Sequence, residues 1–164
     1  MVRCFIGVSL PNGLINVHLE DWVGKRIDDE NLHINLFFLS EIKDTNSIVK
    51  KLDSISHNSF SINLGGLSAF PSENNAKVLI VNADSDELVS LHNKIVNVLN
   101  VKESKPFKPH VTLMRVKKHG NMNIFSQAVN KSFRVSDFCL FKSVLSSSGS
   151  EYSVLHSFNL GGSV

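Results

Sequence analysis

The sequence predicts an α+β fold in which two antiparallel sheets face one another, with helices on the outside. Strand-like runs outnumber helical ones, the elements follow the order β-α-β-(α)-β-β-α-β-α-β-β, and the two halves of that order are roughly alike. With 164 residues the chain can bury roughly two-thirds of its unfolded surface, so residues 1–164 read as a single domain, built as two lobes that share a core. A composition of 42% hydrophobic and 20% charged residues excludes a mainly disordered chain.

Arg3–Leu10 alternates as a strand and is closed by Pro11-Asn12-Gly13. Leu14, Ile15, Val17, Leu19, Trp22 and Val23 then form a helical stripe ending near Gly24. Asn31–Leu39 returns to strand character, and Ile48, Val49, Leu52 and Ile55 mark a helix over Asn46–Ile55. Strands are expected at Phe60–Phe70 and Lys77–Ala83, around the turn Pro71-Ser72-Glu73-Asn74-Asn75. Asp84-Ser85-Asp86-Glu87 caps a helix whose apolar stripe is Leu88, Leu91, Ile95, Val98 and Leu99. Pro106 and Pro109 bracket the entry to a strand at His110–Val116. A weak helix at Met122–Lys131 leads to two long β runs, Phe133–Ser146 and Tyr152–Leu160, with Gly149 in the turn between them.

A formal net charge of +2 excludes a strongly basic nucleic-acid coat. The charge is uneven: residues 102–118 carry Lys102, Lys105, Lys108, Arg115, Lys117 and Lys118 against Glu103 alone, which suits a local anionic ligand. No apolar run approaches the ~20 residues of a membrane span, and the N-terminal run alternates like a strand, so a cytoplasmic protein with no membrane partner is expected. Cys4 and Cys139 lie far apart in apolar runs and read as buried reduced thiols.

The chemistry concentrates in a repeated pattern. Leu32-His33-Ile34-Asn35-Leu36-Phe37-Phe38 and Pro109-His110-Val111-Thr112-Leu113-Met114-Arg115 each place a histidine and a small polar residue on one face of a strand, with apolar residues entering the core behind. His57-Asn58-Ser59 and His119-Gly120-Asn121 share the tripeptide but lie in polar, loop-like sequence. In-line cleavage of a phosphodiester needs one group to take a proton, another to give one, and donors for the non-bridging oxygens. Two imidazoles of ordinary pKa about 6.5, with Asn35 and Thr112 as donors, match those needs without a metal or other cofactor. His18, His57, His92, His119 and His156 have no comparable setting and read as surface or packing residues, and none has metal-ligand spacing.

With these motifs in view the chain resembles the two-histidine phosphoesterases, and within them the RNA 2′,3′-cyclic phosphodiesterases, also called 2′-5′ RNA ligases. The likeness runs through Arg3–Pro11, Asn31–Leu39, Gly66–Pro71, Pro106–Val116, and Ser143–Ser146 with Gly149, Tyr152 and Phe158. It implies a bilobal fold in which each lobe supplies one histidine strand to a shared cleft, and hydrolysis of RNA 2′,3′-cyclic phosphate ends to 2′-phosphates, with 2′-5′ ligation as the reverse chemistry. It assigns His33 as the acid at the departing O3′ and His110 as the base that activates water, although the two roles can be exchanged. Asn35, Thr112 and Arg115 would hold the phosphate, and Phe38 and Tyr152 the nucleotide. Arg115 and Phe38, five residues after their histidines, reach the cleft only if each strand carries a bulge or strong twist near its end. The family has threonine or serine where this chain has Asn35, whose amide donates but is longer and planar. The expected partner is RNA bearing a 2′,3′-cyclic phosphate or a 2′-5′ linkage, bound by a monomer. The competing readings are an RNA-end binding module weakened in turnover by Asn35, and hydrolysis of some other cyclic or 2′-5′-linked nucleotide.

Overall fold

The structure, a computed structural model, describes residues 2–147 and 149–161. Its architecture is α+β. Strand β1 (Val2–Ser9) pairs with β3 (His33–Ile42) on one side and β9 (Asp137–Ser146) on the other, and β9 forms a hairpin with β10 (Gly149–Asn159). The second group is β5 (Leu67–Pro71), β6 (Ala76–Asn82) and β7 (His110–Lys118), with the short β2 (Val23–Arg26) on the C-terminal part of β7. The two expected sheets are therefore recognisable as β10-β9-β1-β3 and β7-β6-β5. They are joined by one antiparallel pair, Ile34 with Val111, into a single eight-stranded path. A small sheet of β4 (Phe60–Asn63) and β8 (Ser132–Val135) stands apart.

Both helices form where the apolar stripes place them. In α1 (Thr45–Asp53) the side chain of Asp44 accepts a hydrogen bond from the Ser47 N–H. In α2 (Asp86–Leu99) Ser85 accepts from the Leu88 N–H, Asp86 and Glu87 occupy the positive end of the dipole, and Asn100 ends the helix at φ 54°. Leu88, Leu91 and Ile95 of α2 pack with Ile6, Ile34, Leu36, Val81, Val111 and Leu113 in the main core. Cys4 and Cys139 are buried free thiols, both pushed above the ordinary thiol pKa, chiefly by burial.

Four local expectations are corrected. Residues 14–19 form no helix: Ile15 and Val17 are buried while Asn16 and His18 are exposed, a period of two hidden among additional apolar residues. Gln127 takes the place of a strand partner there, accepting from the His18 N–H and donating to the His18 carbonyl. The weak helix at 122–131 reduces to a 3-10 turn over Met122–Ser126. Phe60–Phe70 and Phe133–Ser146 each divide into two strands, because both runs leave the small sheet and join the large one, at Gly65-Gly66 and at Ser136 respectively. Strand β2 lacks any apolar alternation and is held by its fit to β7. A β-carbon on Gly24 would lie 2.1 Å from the Arg115 carbonyl oxygen, so the two backbones meet only with glycine there.

Gly24→Ala therefore forces β2 away from β7, with an expected loss of about 1–3 kcal/mol in urea unfolding. Unchanged stability would show that the approach relaxes freely.

Candidate active site

Ile34 and Val111 are fully buried, so alternation turns His33 and Asn35 of β3, and His110 and Thr112 of β7, to the opposite face. The antiparallel sense of the Ile34–Val111 pair then sets His33 across from Thr112 and Asn35 across from His110. The histidines are diagonal neighbours, a relation that sets residues roughly 7–8 Å apart, with their β-carbons somewhat closer. The charge of His110 is felt at His33.

The rings are held alike. His33 Nδ1 lies 2.9 Å from the Asn31 carbonyl oxygen, and His110 Nδ1 lies 2.7 Å from that of Lys108. A carbonyl only accepts, so each Nδ1 carries the hydrogen and each Nε2 is left to exchange a proton. The surroundings differ. His33 packs against Phe5 at 4.8 Å between centroids and edge-on to Tyr152 at 5.3 Å, within an aromatic cluster that includes Phe141. His110 has Phe70 edge-on at 4.8 Å. Burial lowers the pKa of His33 below 6.5; the hydrogen bond to Asn31 opposes this, and the positive charge of His110 adds to it.

Each strand contains the bulge that the distal residues require. On β7, Met114 faces Leu79 and Thr112 faces Ile80, so Leu113 is the extra residue. On β3, Phe37 faces Ile6 and Asn35 faces Gly7, so Leu36 is the extra residue. Both bulges fall three places after the histidine, and both return the fifth residue to the histidine face. Phe38 pairs with Phe5, which touches His33; Arg115 pairs with Val78, whose other partner Phe70 touches His110. Arg115 is exposed, and Phe38 is 44% exposed with the Arg3 guanidinium 5.2 Å from its ring centre. The structure thus brings His33, Asn35, Phe38, His110, Thr112, Arg115 and Tyr152 to one face.

Asn35 bears a carbonyl oxygen that is buried without a hydrogen-bond partner. Gly7 lies directly opposite; a β-carbon there would come 2.9 Å from the Ile34 carbonyl oxygen and 3.6 Å from the His33 ring. Among the described residues no group of three or more His, Cys, Asp and Glu side chains is placed to share a metal ion, and no helix is long and apolar enough to cross a membrane.

Several residues of this face were assigned no role from the sequence. Phe5, Phe70 and Phe141 support the imidazoles from other strands, and the Asn31 and Lys108 carbonyls act through backbone atoms. Of the remaining histidines, His57 and His92 are buried; His92 does carry a signal, since it falls on the buried stripe of α2 between Leu88 and Ile95.

A family model described as the 2′-5′ RNA ligase superfamily matches residues 17–145, most of the chain and both histidine strands. The chain belongs to the 2′-5′ RNA ligase superfamily. Among its relatives in that superfamily, the RNA 2′,3′-cyclic phosphodiesterase of Archaeoglobus fulgidus is 31% identical over 96% of this chain and 99% of its own length. That of Aquifex aeolicus is 30% identical over 85% of this chain and 84% of its own. The fold is shared with E. coli LigT in its apo form, at a TM-score of 0.83 and 21% identity over 98% of each chain. LigT complexed with 3′-AMP gives a TM-score of 0.82 at 20% identity, over 97% of this chain and 98% of its own.

In an NMR titration the His33 ring should protonate below pH 6.5, and His110→Ala should move that transition upward by removing the neighbouring charge. A transition in His110→Ala at or below the wild-type value would contradict the coupling. The same shift sets a sign for stability. At pH above about 6.5 the ring is neutral in both folded and unfolded chains, and below it the unfolded chain binds the proton first, so His33 withdraws stability as pH falls.

Proposed function

We propose that this protein hydrolyses RNA 2′,3′-cyclic phosphate termini to 2′-phosphates by paired histidine acid–base catalysis. The observation that carries the reading is the matched fixing of His33 and His110 through Nδ1 on one face of two paired strands, which leaves both Nε2 atoms there to exchange protons. Membership of the superfamily and the names of the relatives support it.

In this reaction His110 Nε2 takes a proton from water as the water oxygen bonds to phosphorus, and His33 gives a proton to O3′ as the P–O3′ bond breaks. The phosphate remains on O2′. Burial, with the charge of His110 adding to it, disfavours the His33 imidazolium in the free protein, and the bound phosphate, an opposite charge between the rings, favours protonation of His33. Thr112 and the Asn35 amide donate to the non-bridging oxygens, and Arg115 meets their charge in bidentate fashion. Phe38 and Tyr152 offer faces for the terminal nucleoside, and the basic segment 102–118 takes the preceding phosphates. A 5′-hydroxyl in place of water gives 2′-5′ ligation by the same proton transfers. The reading includes one bilobal unit acting as a monomer in the cytoplasm, where buried free thiols such as Cys4 and Cys139 persist.

One observation favours a second reading. The unpartnered Asn35 carbonyl departs from a hydroxyl that could turn its lone pairs and hydrogen to suit, which favours an RNA-end binding module of weak turnover.

Incubation with a 2′,3′-cyclic nucleotide in EDTA should yield the 2′-phosphate, and His33→Ala or His110→Ala should each lower kcat by about 10²–10⁴-fold. A substrate with sulfur in place of O3′, whose thiolate leaves without a proton, should restore turnover to the variant lacking the acid and not to the one lacking the base. Restoration in His110→Ala would exchange the roles. Tight end binding without product, together with a large gain in Asn35→Thr, would establish the binding module instead.

A further inference from the structure

A β-bulge frees a carbonyl from the ladder, and a buried carbonyl left unpaired is costly. On β7 the Leu113 carbonyl accepts from the backbone N–H of Ile27 at 2.8 Å. On β3 the equivalent Leu36 carbonyl accepts from a side chain, Nδ1 of His92 on α2, at 2.7 Å. A backbone donor stops there. An imidazole has a second nitrogen, and His92 Nε2 lies 2.5 Å from a carboxylate oxygen of Glu103, the one acidic residue of the basic segment 102–118. The same ring is stacked on Phe107, at 4.0 Å between centroids and 5° between planes. Phe107 directly precedes Lys108, whose carbonyl fixes the His110 ring.

We infer that His92 is a positioning residue that couples the two catalytic strands. Its ring links the bulge one residue after Asn35 to the segment that enters β7 just before His110. Both nitrogens face acceptors, so the ring and Glu103 together hold two hydrogens between Leu36 and the carboxylate, and the ring plane is fixed by its two ends and by Phe107. Segment 100–109 has no helix or strand of its own, and this tether sets its position relative to β3. The consequence for catalysis rests on the reaction proposed above: a shift of His110 relative to His33 lowers the chemical step more than substrate binding.

Glu103, half-exposed and off the histidine face, is the residue to change. Glu103→Ala is expected to reduce kcat toward a 2′,3′-cyclic nucleotide by about tenfold at unchanged KM, while Glu103→Gln, which keeps an acceptor for Nε2, stays within about twofold of wild type. In ¹H–¹³C spectra the ring signals of both His33 and His110 should move in Glu103→Ala and stay in place in Glu103→Gln. These signals are read without turnover, so a wild-type protein that hydrolyses nothing would sink the proposed function while leaving this test intact. If Glu103→Ala does not fold, Phe107→Leu carries the same test by removing the stacking plane alone. A lower melting temperature with unaltered kcat and unaltered ring signals, or movement of the His110 signal alone, would overturn the coupling and leave His92 as a packing residue.

Discussion

Among the described residues the backbone pair between Ile34 and Val111 is the one ladder contact between the histidine strands, and the arrangement of the whole face follows from it. Both side chains are fully buried, each worth roughly 2–3 kcal/mol of burial. A slip of one residue on either strand would drive an imidazole into the core and an aliphatic side chain onto the open face, so hydrophobic burial on one side enforces the placement of the polar groups on the other. The pair is also confined to one position. Beyond it, β7 gives the rest of that edge to β2 and β3 pairs along β1, so the two strands touch at the site and diverge from it.

The bulges extend this logic. Alternation alone would put Phe37 and Met114 on the working face and turn Phe38 and Arg115 inward. One extra residue in each strand keeps the core side filled, by Leu36 with Phe37 and by Leu113 with Met114, and returns Phe38 and Arg115 to the histidines. Each bulge leaves a carbonyl that would cost about 1–3 kcal/mol unpaired. The two halves satisfy it differently, with a neighbouring backbone in one and with α2 in the other. The near-symmetry of the strands therefore ends at their supports, and the departures from symmetry are where the halves become specialised.

Much of the face was legible because its signal is local. The His-x-Asn and His-x-Thr spacing with apolar residues between them is a period-two pattern, and nothing in the tertiary structure overrides it. The need for bulges followed from the offset of Arg115 and Phe38, yet their positions did not, since Leu36 and Leu113 look like any inward residue. The ring supports could not be assigned that role for a different reason: Phe5, Phe70 and Phe141 come from distant strands, and the Asn31 and Lys108 carbonyls have no side-chain identity to read. Residues 14–19 misled because apolar residues at 14, 15, 17 and 19 fit a helical stripe as well as an alternating one. The deciding partner, Gln127, lies more than a hundred residues away.

The specialisation of the halves has an electrostatic direction. Around His33 the neighbours are rings, Phe5, Phe141 and Tyr152, which exclude water without supplying charge and so disfavour the imidazolium. Around His110 the chain is exposed and carries Lys105, Lys108, Arg115 and Lys117, with the single local acid turned away to His92. Positions five after each histidine repeat the contrast, a phenyl ring under Arg3 on one strand and a guanidinium on the other. An anion placed between the histidines thus meets positive charge from the β7 side and low polarity from the β3 side. The low polarity strengthens the attraction between that anion and a proton on His33, so the surroundings that disfavour the His33 imidazolium in the free protein would also favour its protonation beside a phosphate in the proposed reaction. In the reaction proposed above, proton uptake at His33 would then be tied to occupancy of the cleft, so that an imidazolium disfavoured in the free protein is present where O3′ needs its proton.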